Sequence, residues 1–297
     1  MSAVERLVLG SVALGLPYGI AAPAEKRRTA PEEEVRAIVE DAVAAGVAAF
    51  DTAPSYGLAE SRLGRLLSRQ NGAVWTKLSN LPTDDSLVQA AEQSLARSLA
   101  HLNRPRIDCL QWHNWRAELA ESPEFRALWS GLRDDPRIGS LGASTYGVGD
   151  ALAAVRSGLF EQIQIEWNLF NQGVLDAVAG EAAQRGVRLA VRSVFLQGVL
   201  TARGATLPPA LAGLAEPRRG AERLAAEWGL ALNGLALRAA LDHPARPLVL
   251  IGPDRLWQLR EMLQHAGLAP LPAQVFDELR RLDLAGDPLT DPRTWRF

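Results

Sequence analysis

Eight short apolar runs, separated by longer stretches of helical period, set the tightest limit on how this chain folds. The runs are LVLGS (7–11), AAFDT (48–52), AVWTK (73–77), IDCLQWH (107–113), IGSLGAS (138–144), IQIEW (163–167), VRLAVRS (187–193) and PLVLIG (247–252). Helical patterns fall between and after them, at 31–46, 60–70, 86–102, 123–135, 149–158, 173–186, 221–229 and 233–243. In the first of these, Val35, Ile38, Val39 and Val43 recur at helical spacing, acids open the segment and Gly46 closes it. Strands alternating with helices imply parallel strands joined by crossovers. With 297 residues, eight such units predict an α/β fold closed into a (β/α)8 TIM barrel, which takes about 250 residues plus insertions. We expect one domain over 1–297, with an extended loop at about 201–219, rich in Pro, Gly and Ala, and an irregular tail at about 284–297. The rival is an open doubly wound sheet, which usually carries a G-x-G-x-x-G turn. The nearest match, GVGDAL at 147–152, lacks the third glycine.

Charge narrows the partners. The chain has 32 Lys and Arg against 34 Asp and Glu, a net charge of −2, with no basic stripe interleaved with aromatics. Neither nucleic acid nor an acidic membrane is an expected partner. Cys109 is the single cysteine. It cannot form an internal disulfide, and no His/Cys spacing suggests a metal site. The N-terminal LVLGSVALGLPYGIAA is interrupted by Gly10, Gly15, Pro17 and Gly19 and has no basic cluster before it, so it reads as a first strand and its loop. No apolar run reaches the ~20 residues of a membrane span. The expected location is cytoplasmic, and the sequence leaves the oligomeric state open.

Barrel enzymes carry their reactive groups at the C-terminal ends of strands. Those ends hold Asp51 and Tyr56 in DTAPSYG, Lys77 in WTK and His113 in LQWH. Each alone has an ordinary explanation as a cap, a turn aromatic, a solvated strand end or a core histidine. Together, from successive strands, they make one chemistry. A phenol titrates near ~10, and a nearby ammonium lowers that value by stabilising the phenolate. Lys77 would supply the charge, with Asp51 holding it in place. Tyr56 then serves as a proton relay and His113 orients a substrate carbonyl oxygen.

These motifs resemble the aldo-keto reductase superfamily. The similarity continues through ESRLG (60–64), GAST (142–145), QIEWN (164–168), RSVFLQGVL (192–200) and LVLIGPDRLWQLRE (248–261), in order, from about residue 7 to 265. It implies a (β/α)8 barrel, NADP(H) or NAD(H) as cofactor without a metal, and hydride transfer to or from a carbonyl carbon. By the same resemblance, Asp51, Tyr56, Lys77 and His113 form the catalytic tetrad. Ser144, Thr145 and Gln164 would hold the nicotinamide carboxamide, with Arg192 where an aromatic ring often stacks on it. Ser193, Phe195, Gln197 and Gly198 fall in the segment that covers the pyrophosphate. Gly252, Asp254, Arg255, Gln258 and Glu261 fall in the segment for the adenosine phosphate. Asp254 stands where NADP-dependent members often place a base, which points to weak discrimination between the two dinucleotides.

Tyr18, Trp112, Trp115, Trp167 and Trp295 are candidates to line a substrate pocket, since such pockets are usually aromatic; Phe297 is another. GLPYGIA at 15–21 resembles the first loop of a bacterial subgroup associated with sugar-like compounds. The expected activity is reduction of an aldehyde, ketone or sugar-like carbonyl, or oxidation of the alcohol. The alternatives are a cofactor-binding regulatory or sensor protein with slow turnover, and a lyase or isomerase using Lys77 as a Schiff base.

Overall fold

Each of the eight apolar runs forms a strand of three to six residues. Successive strands pair in parallel, and the eighth returns to the first, so the sheet closes as β1-β2-β3-β4-β5-β6-β7-β8. The computed structural model describes residues 1–20, 29–67, 72–82, 86–284 and 286–295. In chain order it runs β1 (Leu7–Gly10), α1 (Val12–Gly15), α2 (Glu32–Ala45), β2 (Ala49–Asp51), α3 (Ala59–Leu66), β3 (Ala73–Leu78), α4 (Leu87–His101) and β4 (Cys109–Trp112). It continues with α5 (Pro123–Arg133), β5 (Leu141–Ser144), α6 (Gly147–Arg156), β6 (Gln162–Glu166), α7 (Gly173–Gln184) and β7 (Arg188–Arg192). The last elements are α8 (Ala215–Glu227), α9 (Leu232–Asp242), β8 (Leu248–Ile251), α10 (Leu256–Ala266) and α11 (Ala273–Arg280).

The strands' period of two separates two apolar layers. Val8, Ala49, Trp75, Cys109 and Ala190 form a small cluster of their own inside the barrel. Leu7, Leu9, Phe50, Val74, Leu110 and Ile163 join the larger core with the buried faces of the helices. Two residues further along, the inward positions turn polar. Ala49 gives way to Asp51, Trp75 to Lys77, Cys109 to Gln111 and Ala190 to Arg192. The barrel interior is thus apolar below and ionic above, and the reactive groups stand on the floor that the apolar cluster provides.

Some elements differ from the sequence expectation. The stretch expected to be loop through residue 219 contains 3-10 turns over Ala202–Ala205 and Pro209–Leu214, and α8 begins at Ala215. It is helical early because Ala221, Leu224 and Ala225 bury one face, while Arg218 donates to the carbonyls of Val199 (2.9 Å) and Thr201 (3.0 Å). Helices α1, α10 and α11 have no counterpart in the sequence reading. In α10, Leu259, Met262 and Ala266 give a buried face at helical spacing.

Candidate active site

A turn after β2 presents Tyr56, and α1 braces that turn. A Cβ on Gly15 would lie 1.8 Å from the Tyr56 carbonyl oxygen and 2.6 Å from the Ala59 nitrogen, so only glycine allows the approach. The Leu58 N–H donates to the Gly15 carbonyl (3.2 Å), and the Ser11 N–H and hydroxyl both donate to the Asp51 carbonyl at 2.9 Å. Behind Tyr56, Lys77 is fully buried. Its Nζ donates to Asp51 Oδ2 (2.6 Å) and to the Thr52 carbonyl (2.8 Å), and lies 5.0 Å from the centroid of the Tyr56 ring. Asp51 Oδ1 accepts from the side-chain amides of Gln164 (3.0 Å) and Gln111 (3.3 Å). The His113 ring meets the Tyr56 ring edge-on, with centroids 6.0 Å apart, and its Nδ1 lies 2.8 Å from Ser79 Oγ. The four residues singled out at the ends of three successive strands therefore converge.

Their electrostatics correct one expectation. Burial acts first on Tyr56 and raises its titration, Lys77 lowers it, Asp51 raises it and Arg192 lowers it, and the net direction is upward. Lys77 does not bring the phenol below its ordinary value, because the low-dielectric site penalises phenolate more than the ammonium rewards it. Tyr56 is accordingly a protonated donor at neutral pH. For Lys77, burial disfavours the ammonium, but Asp51 and then Tyr56 outweigh it and the net direction is up. Burial, Lys77 and Arg192 all push His113 down, to about 3. His113 is thus a neutral imidazole; in the tautomer whose Nδ1 accepts from the Ser79 hydroxyl, its Nε2–H is a donor available to an oxygen.

A cavity of about 850 Å³ opens over this group. It is lined by Tyr18, Asp51, Tyr56 and His113, and by Ser144, Gln164 and Arg192 from the ends of β5, β6 and β7. Ser193, Phe195, Gln197 and Gly198 line it, as do Gly252, Gln258 and Glu261 with Trp257 and Met262. The lining also holds Tyr146 and Arg293, which the sequence reading did not single out. The guanidinium carbons of Arg192 and Arg293 lie 3.9 and 3.6 Å from the centroid of the Tyr146 ring. Two guanidiniums that close must occupy opposite faces, so Tyr146 is sandwiched and ties the C-terminal segment to β7.

Other candidates lie elsewhere. Trp112, Trp115 and Trp167 are corrections: all three are buried and none lines the cavity. Trp112 packs edge-on against Phe125 and Trp129, Trp115 against Phe160, and Trp167 against His243. Alternation along β4 explains the first, since Gln111 points inward and its neighbour must point at the helices. Trp295 is outside the lining, its indole N–H on the Leu289 carbonyl at 3.1 Å, and Phe297 lies outside the described residues. Thr145 is fully buried and off the lining, its N–H on the Gln164 carbonyl (3.0 Å) and its own carbonyl accepting from Arg192 (2.9 Å). Asp254 and Arg255 are also off it. The Asp254 carboxylate is held by both oxygens to Arg203 (2.5 and 2.7 Å), and Arg203 itself faces the cavity.

The residues present fit a nicotinamide dinucleotide. Ser193, Leu196 and Gln197 hold φ values of 64°, 44° and 51°, with Gly198 at 104°. Left-handed non-glycine residues cost about 1–3 kcal/mol each and concentrate at ligand clamps. Because a carboxylate only accepts, Gln164 must present its NH₂ to Asp51, leaving its amide oxygen for a ligand amide. Among the described residues, no three of His, Cys, Asp and Glu gather as a metal would need.

A parallel eight-stranded barrel with a Tyr–Lys–Asp–His group at its C-terminal mouth defines a class of barrel oxidoreductases. The sequence model of the Aldo/keto reductase family matches residues 6–284, and the chain belongs to that family. It is 28% identical to a D-threo-aldose 1-dehydrogenase from Pseudomonas sp, across 92% of this chain and 95% of the relative. Among solved structures, the holo form of the aldo-keto reductase AKR11C1 from Bacillus halodurans superposes with a TM-score of 0.77 at 20% identity, covering 94% of this chain and 92% of that one. The glycerol dehydrogenase AKR11B4 from Gluconobacter oxydans gives a TM-score of 0.71 at 20% identity, covering 93% and 90%. These structures agree on the fold. Aldo-keto reductases use NAD(P)H. Among the described residues no helix is long and apolar enough to cross a membrane.

Proposed function

We propose that the chain is an NAD(P)-dependent oxidoreductase acting on the carbonyl of a polyhydroxy aldehyde or ketone, or on the corresponding alcohol, with Tyr56 as proton relay. The observation that carries this reading is the buried Lys77–Asp51 pair behind Tyr56, with neutral His113 beside it. When bound, the nicotinamide cofactor supplies or accepts the hydride. Gln164, Ser144 and the segment 193–198 would hold it. Tyr56 gives its phenolic proton to the carbonyl oxygen during reduction and takes it back during oxidation. Lys77 limits the cost of the transient phenolate, Asp51 keeps Lys77 charged, and the His113 N–H orients the oxygen. The sugar-like substrate class draws support from the aldose dehydrogenase relative.

The test follows absorbance of the reduced nicotinamide with both cofactors across aldoses, polyols and simple aldehydes. Turnover should be greatest on polyhydroxy compounds. Tyr56→Phe should lower kcat by ~10²-fold or more, the loss expected for a general acid, while cofactor affinity stays unchanged. Absence of turnover on the whole panel, or a Phe variant that works normally, would overturn the reading.

A further inference from the structure

Gln111 and Gly142 fall in the stretches LQWH and GAST, yet neither has a part in the proton relay as described. Gln111 is fully buried and projects into the barrel between β3 and β5, in register with Lys77 on one side and Gly142 on the other. Its Nε2 donates to Asp51 Oδ1 at 3.3 Å, the oxygen that Gln164 also holds at 3.0 Å. With Oδ1 taken by two amides, Oδ2 is turned to Lys77 at 2.6 Å. The Gln111 side chain lies against Gly142. A Cβ there would stand 3.0 Å from Gln111 Cγ, 2.9 Å from the Gln162 carbonyl oxygen and 3.2 Å from Cys109 Sγ. The arrangement has an energetic cost, because Gln111 Oε1 is buried with no partner among the described residues. A methionine would fill the same space without that penalty. Packing alone therefore does not account for an amide at this position, whereas its N–H on Asp51 does.

We propose that Gln111, seated over Gly142, is a positioning residue of the relay: it fixes Asp51 Oδ1 so that Oδ2 serves Lys77, and so sets the charge behind Tyr56. This rests on the reading of Tyr56 as the relay. Around Tyr56 stand Asp51 from β2, Lys77 from β3, His113 after β4, Arg192 from β7 and Tyr18 after β1. Removing the Gln111 donor leaves more of the Asp51 charge uncompensated. That disfavours phenolate, so Tyr56 should titrate higher.

The test uses Gln111→Met, which keeps the volume, in the full chain. Ultraviolet titration of tyrosinate, with Tyr56→Phe as the difference standard, reads Tyr56 without turnover. The pH profile of alcohol oxidation, in which phenolate is the base, reads it during turnover. Both should move upward by about half a unit to one unit, as when a hydrogen bond to a charged group is lost. Oxidation at neutral pH should fall by roughly 3- to 10-fold, the same shift read as a phenolate fraction, with the KM for cofactor unchanged. Gly142→Ala, whose new carbon crowds Gln111 Cγ, should shift the titration the same way. An unmoved Tyr56 titration in the folded Gln111→Met variant, including one with a lowered Tm, overturns the proposal. If the parent chain shows no turnover, the functional reading fails, while the tyrosinate titration still decides the role of Gln111.

Discussion

His113 shows how far the barrel mouth can move a single side chain. Burial, followed by Lys77 and Arg192, pushes it down to about 3, against about 6.5 in an unfolded chain. Between those values the unfolded state holds a proton that the native state does not, so stability falls as pH drops through that window. A loss of roughly 1–2 kcal/mol from this group is expected by pH 5, relative to pH 7. His113→Asn should flatten that part of the curve of Tm against pH, which melts at pH 7, 6 and 5 would show. The residue types of the candidate relay are legible because each stands at a strand end in the linear sequence. Ser79 and Gln111 were missed, although the signal was present. Ser79 lies two residues after Lys77 and Gln111 two before His113, and period two puts each pair on one side of its strand. The tryptophans were placed wrongly for the complementary reason: near the site in sequence, Trp112 faces away from it.

The short elements hold these residues in register. Strand β2 is only three residues long, and the turn after it depends on α1 pressing against Tyr56. Gly15→Ala should therefore force that turn aside, since the added carbon meets backbone at 1.8 Å. Overpacking of this kind costs about 1–3 kcal/mol, and kcat should drop with it because the phenol moves. Gly149→Ala is the control, in α6 with nothing within 4 Å of the new carbon. It should be neutral or more stable by up to about 1 kcal/mol, as for an alanine in a helix, with kcat unchanged; thermal melts and steady-state rates on both variants decide. Long elements were read correctly from their periodicity. The start of α8 was not, because Pro, Gly and Ala in its neighbourhood signal loop, and burial against the barrel overrides that local preference.

At the scale of the whole molecule, the loops after β7 and β8 join across the cavity through Arg203 and Asp254. We expect cofactor choice to depend on that pair. With Asp254 engaged, its carboxylate and the Arg203 guanidinium offset each other, and use of both NADH and NADPH is the expected outcome. Asp254→Ala should release the Arg203 charge and tighten NADPH relative to NADH, because a guanidinium binds phosphate strongly. Titrating both reduced cofactors by tryptophan quenching, in the parent and the variant, would show it; an unchanged ratio would place the 2′-phosphate out of reach of Arg203.

By itself the sequence determined the eightfold alternation, and with it the barrel, because strand and helix periods are properties of consecutive residues. It also brought the four candidate relay residues into view, since Asp51, Tyr56, Lys77 and His113 each follow an apolar run. Only the tertiary structure decided what those residues face. Asp254 pairs with a partner 51 positions away. Tyr146 lies between guanidiniums from β7 and the C-terminal segment, and Tyr56 is raised by burial despite the ammonium behind it. Each of these outcomes is a through-space balance of desolvation against charge between elements far apart in the chain, and no local pattern encodes the distance that settles it.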